Sequence, residues 1–590
     1  MSVSESNLSD PRYGFDLVVA VTQASVNATL KQLLAGLAAP EVVLCYVYDA
    51  NGDLVPIDYQ TLVTEAKGAD PFTIPPDADP KDPRLVNLAA LGFVGAVKAR
   101  LGLPDMPLAD LPPIVTFGAG AGAPVRFNLL CAEFQIVGIE YIGPTHMKWT
   151  NTSQPSGSGT PWYFSANVSL DITTIDPNSR VPPAVQQRII DLQHAAPNAF
   201  TIQKLFLDLD TAILETVPQI EGLSSGSVLW NMISAVFLGA YFTQLKQSGD
   251  PVLSYSFTVT APRSATLQLG AVSREVSPLL QNGHPISNPT PAQSNAAALV
   301  YVGSQSTTAP IPVPFAWNWV ELNEVDAFSG VQAVRRDVFA AYLAQLVNAE
   351  VGALCLDTNV HLSHSGESFT IKYSTAPASA PRGFAPISLV GLPSPDGFND
   401  LLSLDFACPP SHDSSTSASH AVRIWGNYDY ALTGRVGVRG NQIRIWVEAV
   451  ASMSFKHTEG LASFIDLPYA PYYDKKLTVL YTLGVDQNGV LQVTQTNGTV
   501  SHAKAWDFHP RGLVGLLGLE GHLKAGLTSV EDSLAAYIDR AFTRYVDDLT
   551  ATINGYRAWV FPGNEAFTFK DLYFSDGHDL TARLTYVNPN

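Results

Sequence analysis

Gly222-Leu223-Ser224-Ser225-Gly226 fits the G-x-S-x-G spacing of a serine-hydrolase nucleophile, and a helical pattern follows it. The residues ahead of it, ETVPQIE, contain Pro218 and make a poor buried strand, and no strand–helix–strand series supports a parallel sheet. The pentad therefore reads as a helix-initiating turn in which Ser225 or Ser227 caps the helix. His361 and His364 could be two metal ligands, but no third ligand lies nearby in sequence, so they read as a strand or loop surface. Asp208 and Asp210 share one strand face without a partner acid or nucleophile, and read as solvated. Gly118-Ala119-Gly120-Ala121-Gly122 suggests a phosphate loop, yet Pro124 and a strand follow it instead of a helix N-terminus, so it reads as a flexible loop. Cys45, Cys131, Cys355 and Cys408 lie far apart, mostly in apolar runs, as buried small hydrophobes do. No residue is assigned a catalytic role, and neither a metal nor a cofactor is expected.

Composition narrows the partners. The chain of 590 residues is 46% hydrophobic and 15% charged, with a net charge of −19. Such a charge repels nucleic-acid backbones and anionic lipid surfaces, but entry of a neutral lipid into an apolar cavity does not depend on it. The opening MSVSESNLSDPR has neither a basic segment nor an apolar core, and no run has the length and apolarity of a membrane span. A soluble, cytoplasmic protein is expected, with non-classical release left open. Sequons such as Asn151-Thr152-Ser153 then have no consequence.

The elements that must position any site recur in one order. YGFDLVVAV (13–21) reads as a strand, followed by a short helix capped by Thr22, with Val26, Leu30, Leu33, Leu34 and Leu37 on one stripe. Residues 67–84 and 100–124 are loops, and 125–141, 162–173 and 203–211 are strands, the second strictly alternating. A long helix at 227–247 presents Trp230, Ile233, Phe237, Tyr241 and Leu245 on one face, and strand 252–260 follows. Residues 284–314, rich in Pro, Ser and Thr, read as a linker.

The second half repeats the order. FAWNWVELN (315–323) reads as a strand and 330–348 as a helix with Val331, Val334, Val338, Phe339, Tyr342, Leu346 and Val347 on its apolar face. Two loops fill 376–420, one of them the Ser-rich SHDSSTSASH. Long strands follow at 421–457, folded around Arg439-Gly440-Asn441, and at 477–495, folded at Asn488-Gly489. The last helix, 529–554, opens with Thr528 and Glu531 in capping-box spacing and carries Leu534, Ile538, Phe542, Tyr545, Leu549 and Ile553. Strands at 557–562, 566–574 and 579–587 end the chain. The halves share architecture without residue-by-residue identity.

Three passages carry a family resemblance. YGFDLVVAVTQASVNATLKQL (13–33) resembles the opening of the P-forty-seven proteins, accessory proteins of clostridial neurotoxin gene clusters. AYFTQLKQSGDPVLSYSFTV (240–259) resembles their central motif. WVFPGNEAFTFKDLYFSDGHDLTARLTYVNP (559–589) resembles their C-terminal signature and is the most specific of the three. Membership of the TULIP (tubular lipid-binding) superfamily, which the resemblance implies, gives an α+β fold of two TULIP-like domains. Each is a long, strongly twisted antiparallel sheet wrapped around a long amphipathic helix. The expected division is a tail at 1–12, domains at 13–283 and 315–590, and the linker 284–314 between them. The expected function is non-catalytic binding of lipid or another apolar small molecule in a tubular cavity. Trp230, Ile233, Phe237, Tyr241, Leu534, Ile538, Phe542 and Tyr545 are the expected cavity wall. The alternatives are an interaction protein of a toxin-related complex, its tubes filled by side chains and a protein as its partner, and a serine esterase using Ser224.

Overall fold

A computed structural model describes residues 2–35, 41–108, 110–118, 125–142, 146–155, 157, 159–175, 186, 200–216, 227–247, 252–259, 269–366, 368–387, 394–485, 491–504, 559–560 and 567–586. The fold is α+β and mainly β, and among the described residues every strand pair is antiparallel. Among the described residues no helix is long and apolar enough to cross a membrane. The expected helix 529–554, with Leu534, Ile538, Phe542 and Tyr545, lies outside the described residues.

The first long sheet runs in the order Trp559–Val560, Val252–Val259, Phe200–Thr216, Tyr163–Ile175, Val125–Ile142, Phe93–Leu101, Glu41–Tyr48, Leu54–Ile57. The second centres on Val422–Arg439, Gln442–Glu459, Ala462–Val485 and Leu491–Lys504. Its first hairpin turns where expected, with Arg439 paired to Gln442 and Gly440 at φ +56°, a left-handed value that glycine adopts without strain. Strict alternation buries Val422, Ile424, Tyr428, Tyr430, Leu432, Val436 and Val438 on one face.

A third sheet joins the two halves. Its order is Ala271–Ser277, Ala298–Ser304, Leu17–Thr22, Gly330–Val334, Leu580–Tyr586, Phe567–Phe574. Leu17–Thr22 and Ala298–Ser304 are buried along their whole length because both faces are covered. One face meets the main core. The other packs on Tyr13, Phe15, Phe315, Trp317 and Trp319.

Several elements differ from the sequence reading. Residues 330–334 are a strand, and the helix is Arg336–Val351; Val331 and Val334 fit helical spacing, but pairing with Leu17–Thr22 claims them. FAWNWVELN forms no strand. Phe315, Trp317 and Trp319 imitate strand alternation because their rings pack against one another, tilted or edge to face, beneath the third sheet, with centroids 4.8–5.5 Å apart. Within 284–314, helix Pro291–Asn295 has a capping box from Thr290 and Gln293, and Ala298–Ser304 is a buried strand. The Ser-rich loop contains strand Ser411–Thr416. Its alternate side chains replace a backbone partner for the neighbouring edge: Val360 N–H donates to Ser411 Oγ (3.0 Å) and Leu362 N–H to Asp413 Oδ2 (2.7 Å).

Candidate functional site

The long first-half helix consists of Val228–Met232, a π-helical turn Ile233–Phe237, and Leu238–Gln247. Ser227 caps it, its Oγ accepting from Trp230 N–H at 3.2 Å. Leu229 sits in a notch formed by Gly95 and Gly138, register partners on adjacent strands, where a Cβ on either glycine would overlap its methyl groups. Phe237 is fully buried, 5.0 Å ring to ring from both Phe134 and Phe164. Tyr241 donates its hydroxyl to Leu130 O at 2.8 Å, and burial raises its pKa. Three expected wall residues, Ile233, Phe237 and Tyr241, thus meet in the main core, and Trp230 is half-buried.

A cavity that sequence reasoning missed lies beside helix Gln23–Ala35. Thr22 Oγ1 accepts from Ser25 N–H at 3.2 Å, as an N-cap should, and Val26, Leu30 and Leu34 face the core. Two buried amides on the same helix serve as a strand partner for Val115–Thr116. Asn27 accepts from Val115 N–H (2.8 Å) and donates to Val115 O (2.9 Å), and Gln23 Oε1 accepts from Phe117 N–H (2.8 Å). Lys31 Nζ donates to Leu108 O (3.0 Å) and Leu111 O (3.2 Å), and burial lowers its pKa. These bonds tether the helix to the 108–116 segment, and a cleft of 920 Å³ opens beside it. Ala24, Ala28, Leu108, Leu111 and Pro113 supply much of its apolar wall, with Pro289 and Pro291 opposite. Among the described residues its charged lining residues are Lys31 and Asp326.

Among the described residues the other chemistry-bearing groups do not converge. Residues 221–226, which include Ser224, lie outside the described residues, as do 119–124 of the glycine-rich loop. His361 Nδ1 lies 3.4 Å from Asp413 Oδ2, and His364 Nδ1 lies 3.0 Å from Ser415 Oγ. Asp208 lies in strand Phe200–Thr216, in register with Ser169. Among the described residues no group of three His, Cys, Asp or Glu could hold a metal ion. All four cysteines are buried free thiols, and burial pushes Cys45 up to about 12. Asn151 of the sequon is bonded through its amide to Ile74 O (2.5 Å) and Gln135 (2.9 Å).

The sequence matches no family model and no curated protein. Among solved structures the chain is similar to the structure of P47 from Clostridium botulinum A2, over 97% of this chain and 98% of that one, at 9% identity and a TM-score of 0.40. It is also similar to the crystal structure of lipopolysaccharide binding protein, over 97% of this chain and 99% of that one, at 10% identity and a TM-score of 0.28.

Proposed function

We propose that the protein binds a lipid or another apolar ligand without catalysing a reaction on it, and that the cleft beside helix Gln23–Ala35 belongs to the binding site. The cleft's size and lining carry this reading: 920 Å³ falls in the range of small-molecule sites, and its wall divides between Ala, Leu and Pro side chains and polar ones, two of them charged. An acyl chain along Ala24 and Ala28 would lie beside Leu111, with its polar end toward Lys31. The arrangement of residues 13–283 and 315–590 as two tubular domains belongs to the same proposal, as does a cytoplasmic setting, which suits four unpaired buried thiols. Ser224 has no role in it.

Titration with a fluorescent fatty-acyl probe tests the site. Ala28→Trp fills the cleft and should weaken binding by about tenfold or more, as expected when a few methylenes lose their burial. Phe237→Leu should leave affinity unchanged while lowering stability by about 1–2 kcal/mol. The reverse pattern would move the ligand to the long helix. The packing of Phe237 and Tyr241 also favours a second reading, an interaction protein with side-chain-filled interiors. A folded wild type that takes up no apolar probe would establish that reading instead.

A further inference from the structure

Two turns at one end of the second long sheet, at 417–421 and 460–461, meet the end of the separate hairpin Leu356–Ser365/Ser368–Pro377. Ala418 N–H donates to Gly366 O (3.3 Å) and Gly460 N–H to Ala421 O (2.9 Å), which ties the turns together. The last turn is stiffened from behind, where buried His457 stacks on Phe464 at 4.8 Å with its Nε2 3.2 Å from Glu459. Leu461 at the tip is fully exposed, and Ile465 and Tyr469 beyond it are 69% and 63% exposed. On the outer face, Trp425, Lys456 and Ile465 are register partners across three adjacent strands. Both Arg423 and Lys456 hold their cations over the Trp425 ring, 4.7 and 5.1 Å from its centroid.

A tryptophan flanked by cations, beside uncovered aliphatic side chains, is the chemistry of a bilayer interface: aliphatic groups enter the acyl boundary, the ring sits at headgroup depth, and cations meet phosphates. The other occupants fit less well. Pairing with Leu491–Lys504 begins at Tyr473, so 462–472 could offer an edge to an added strand. Pro468 and Pro471 remove donors from that edge, however, and the register slips three times against the neighbouring strand. A strongly anionic surface would be repelled by the net charge of −19, whereas two local cations match the phosphates of zwitterionic headgroups. We propose that this sheet end docks on a zwitterionic phospholipid bilayer through Leu461, Ile465 and Trp425.

The proposal stands apart from ligand binding in the cleft, and flotation with phosphatidylcholine vesicles tests it. The wild-type chain should float, and Leu461→Asp/Ile465→Asp should reduce partitioning by about tenfold or more with an unchanged melting temperature, because both side chains are exposed. Lipids brominated along the acyl chain should quench the wild type more than Trp425→Phe. Ala28→Trp should float like the wild type, which separates this test from failure of the cleft. Equal flotation of the double variant, absence of wild-type flotation, or binding only to phosphatidylserine vesicles would overturn the proposal. So would a wild-type dimer that Leu461→Asp dissociates, since the patch would then join two copies.

Discussion

Glu275 is a carboxyl group in surroundings that disfavour a carboxylate. It is 3% exposed, lies opposite Val300 in the third sheet, and its Oε1 is buried without a hydrogen-bond partner. Desolvation pushes its pKa up to about 8 from an ordinary 4.5. The folded state therefore keeps a proton that the unfolded chain releases, so stability falls as pH rises from 4.5 through about 8 and then levels. Glu275→Gln should flatten that fall and raise stability at pH 8.5 by roughly 2–5 kcal/mol, measured by denaturant unfolding across pH. Asp579 is different. Burial raises it to about 6, but it accepts from Leu8 N–H (2.7 Å), Ser6 Oγ (3.1 Å) and Arg336 N–H (3.1 Å), which fastens residues 6–8 to the last hairpin. Asp579→Ala strands those donors and should cost about 1–3 kcal/mol, with faster amide exchange at Leu8 as the local sign.

At the level of elements, the seam between the long first-half helix and its sheet depends on absent side chains as much as present ones. Gly138→Val should displace Leu229 and destabilise by about 1–3 kcal/mol, and Leu229→Ala should recover part of that loss in the double variant. Thermal unfolding of the four proteins gives the coupling. Nothing in sequence paired Gly95 with Gly138, because register is a tertiary fact. Local patterns were more legible. The strict alternation of Tyr163–Ile175, the turn at Gly440 and the spacing of Ile233, Phe237 and Tyr241 each identified an element whose main determinant is its own residues. Gly330–Val334 was misread because its partner strand, Leu17–Thr22, lies more than three hundred residues away. Ala298–Ser304 was hidden by flanking prolines and serines, and Ser411–Thr416 by side chains whose hydrogen bonds substitute for β-propensity. The cleft was not legible because it depends on how Gln23 and Asn27 reach Val115 and Phe117.

At the scale of the whole molecule, the third sheet is the shared element. Leu17–Thr22 from one half pairs with Gly330–Val334 from the other, which pairs with Leu580–Tyr586. Trp559–Val560 also joins Val252–Val259 of the first sheet. Proteolysis within the exposed stretch 306–311 should therefore leave two fragments that co-elute under native conditions and separate only in denaturant. Separation without denaturant would mean that the shared sheet holds little of the stability. The binding proposal meets its most direct test in native mass spectrometry of protein purified without detergent. The expected result is a one-to-one adduct that organic extraction releases as an acyl-containing molecule, with its occupancy lost in Ala28→Trp. A folded wild type with no adduct, and none after incubation with long-chain lipid, would contradict apolar-ligand binding.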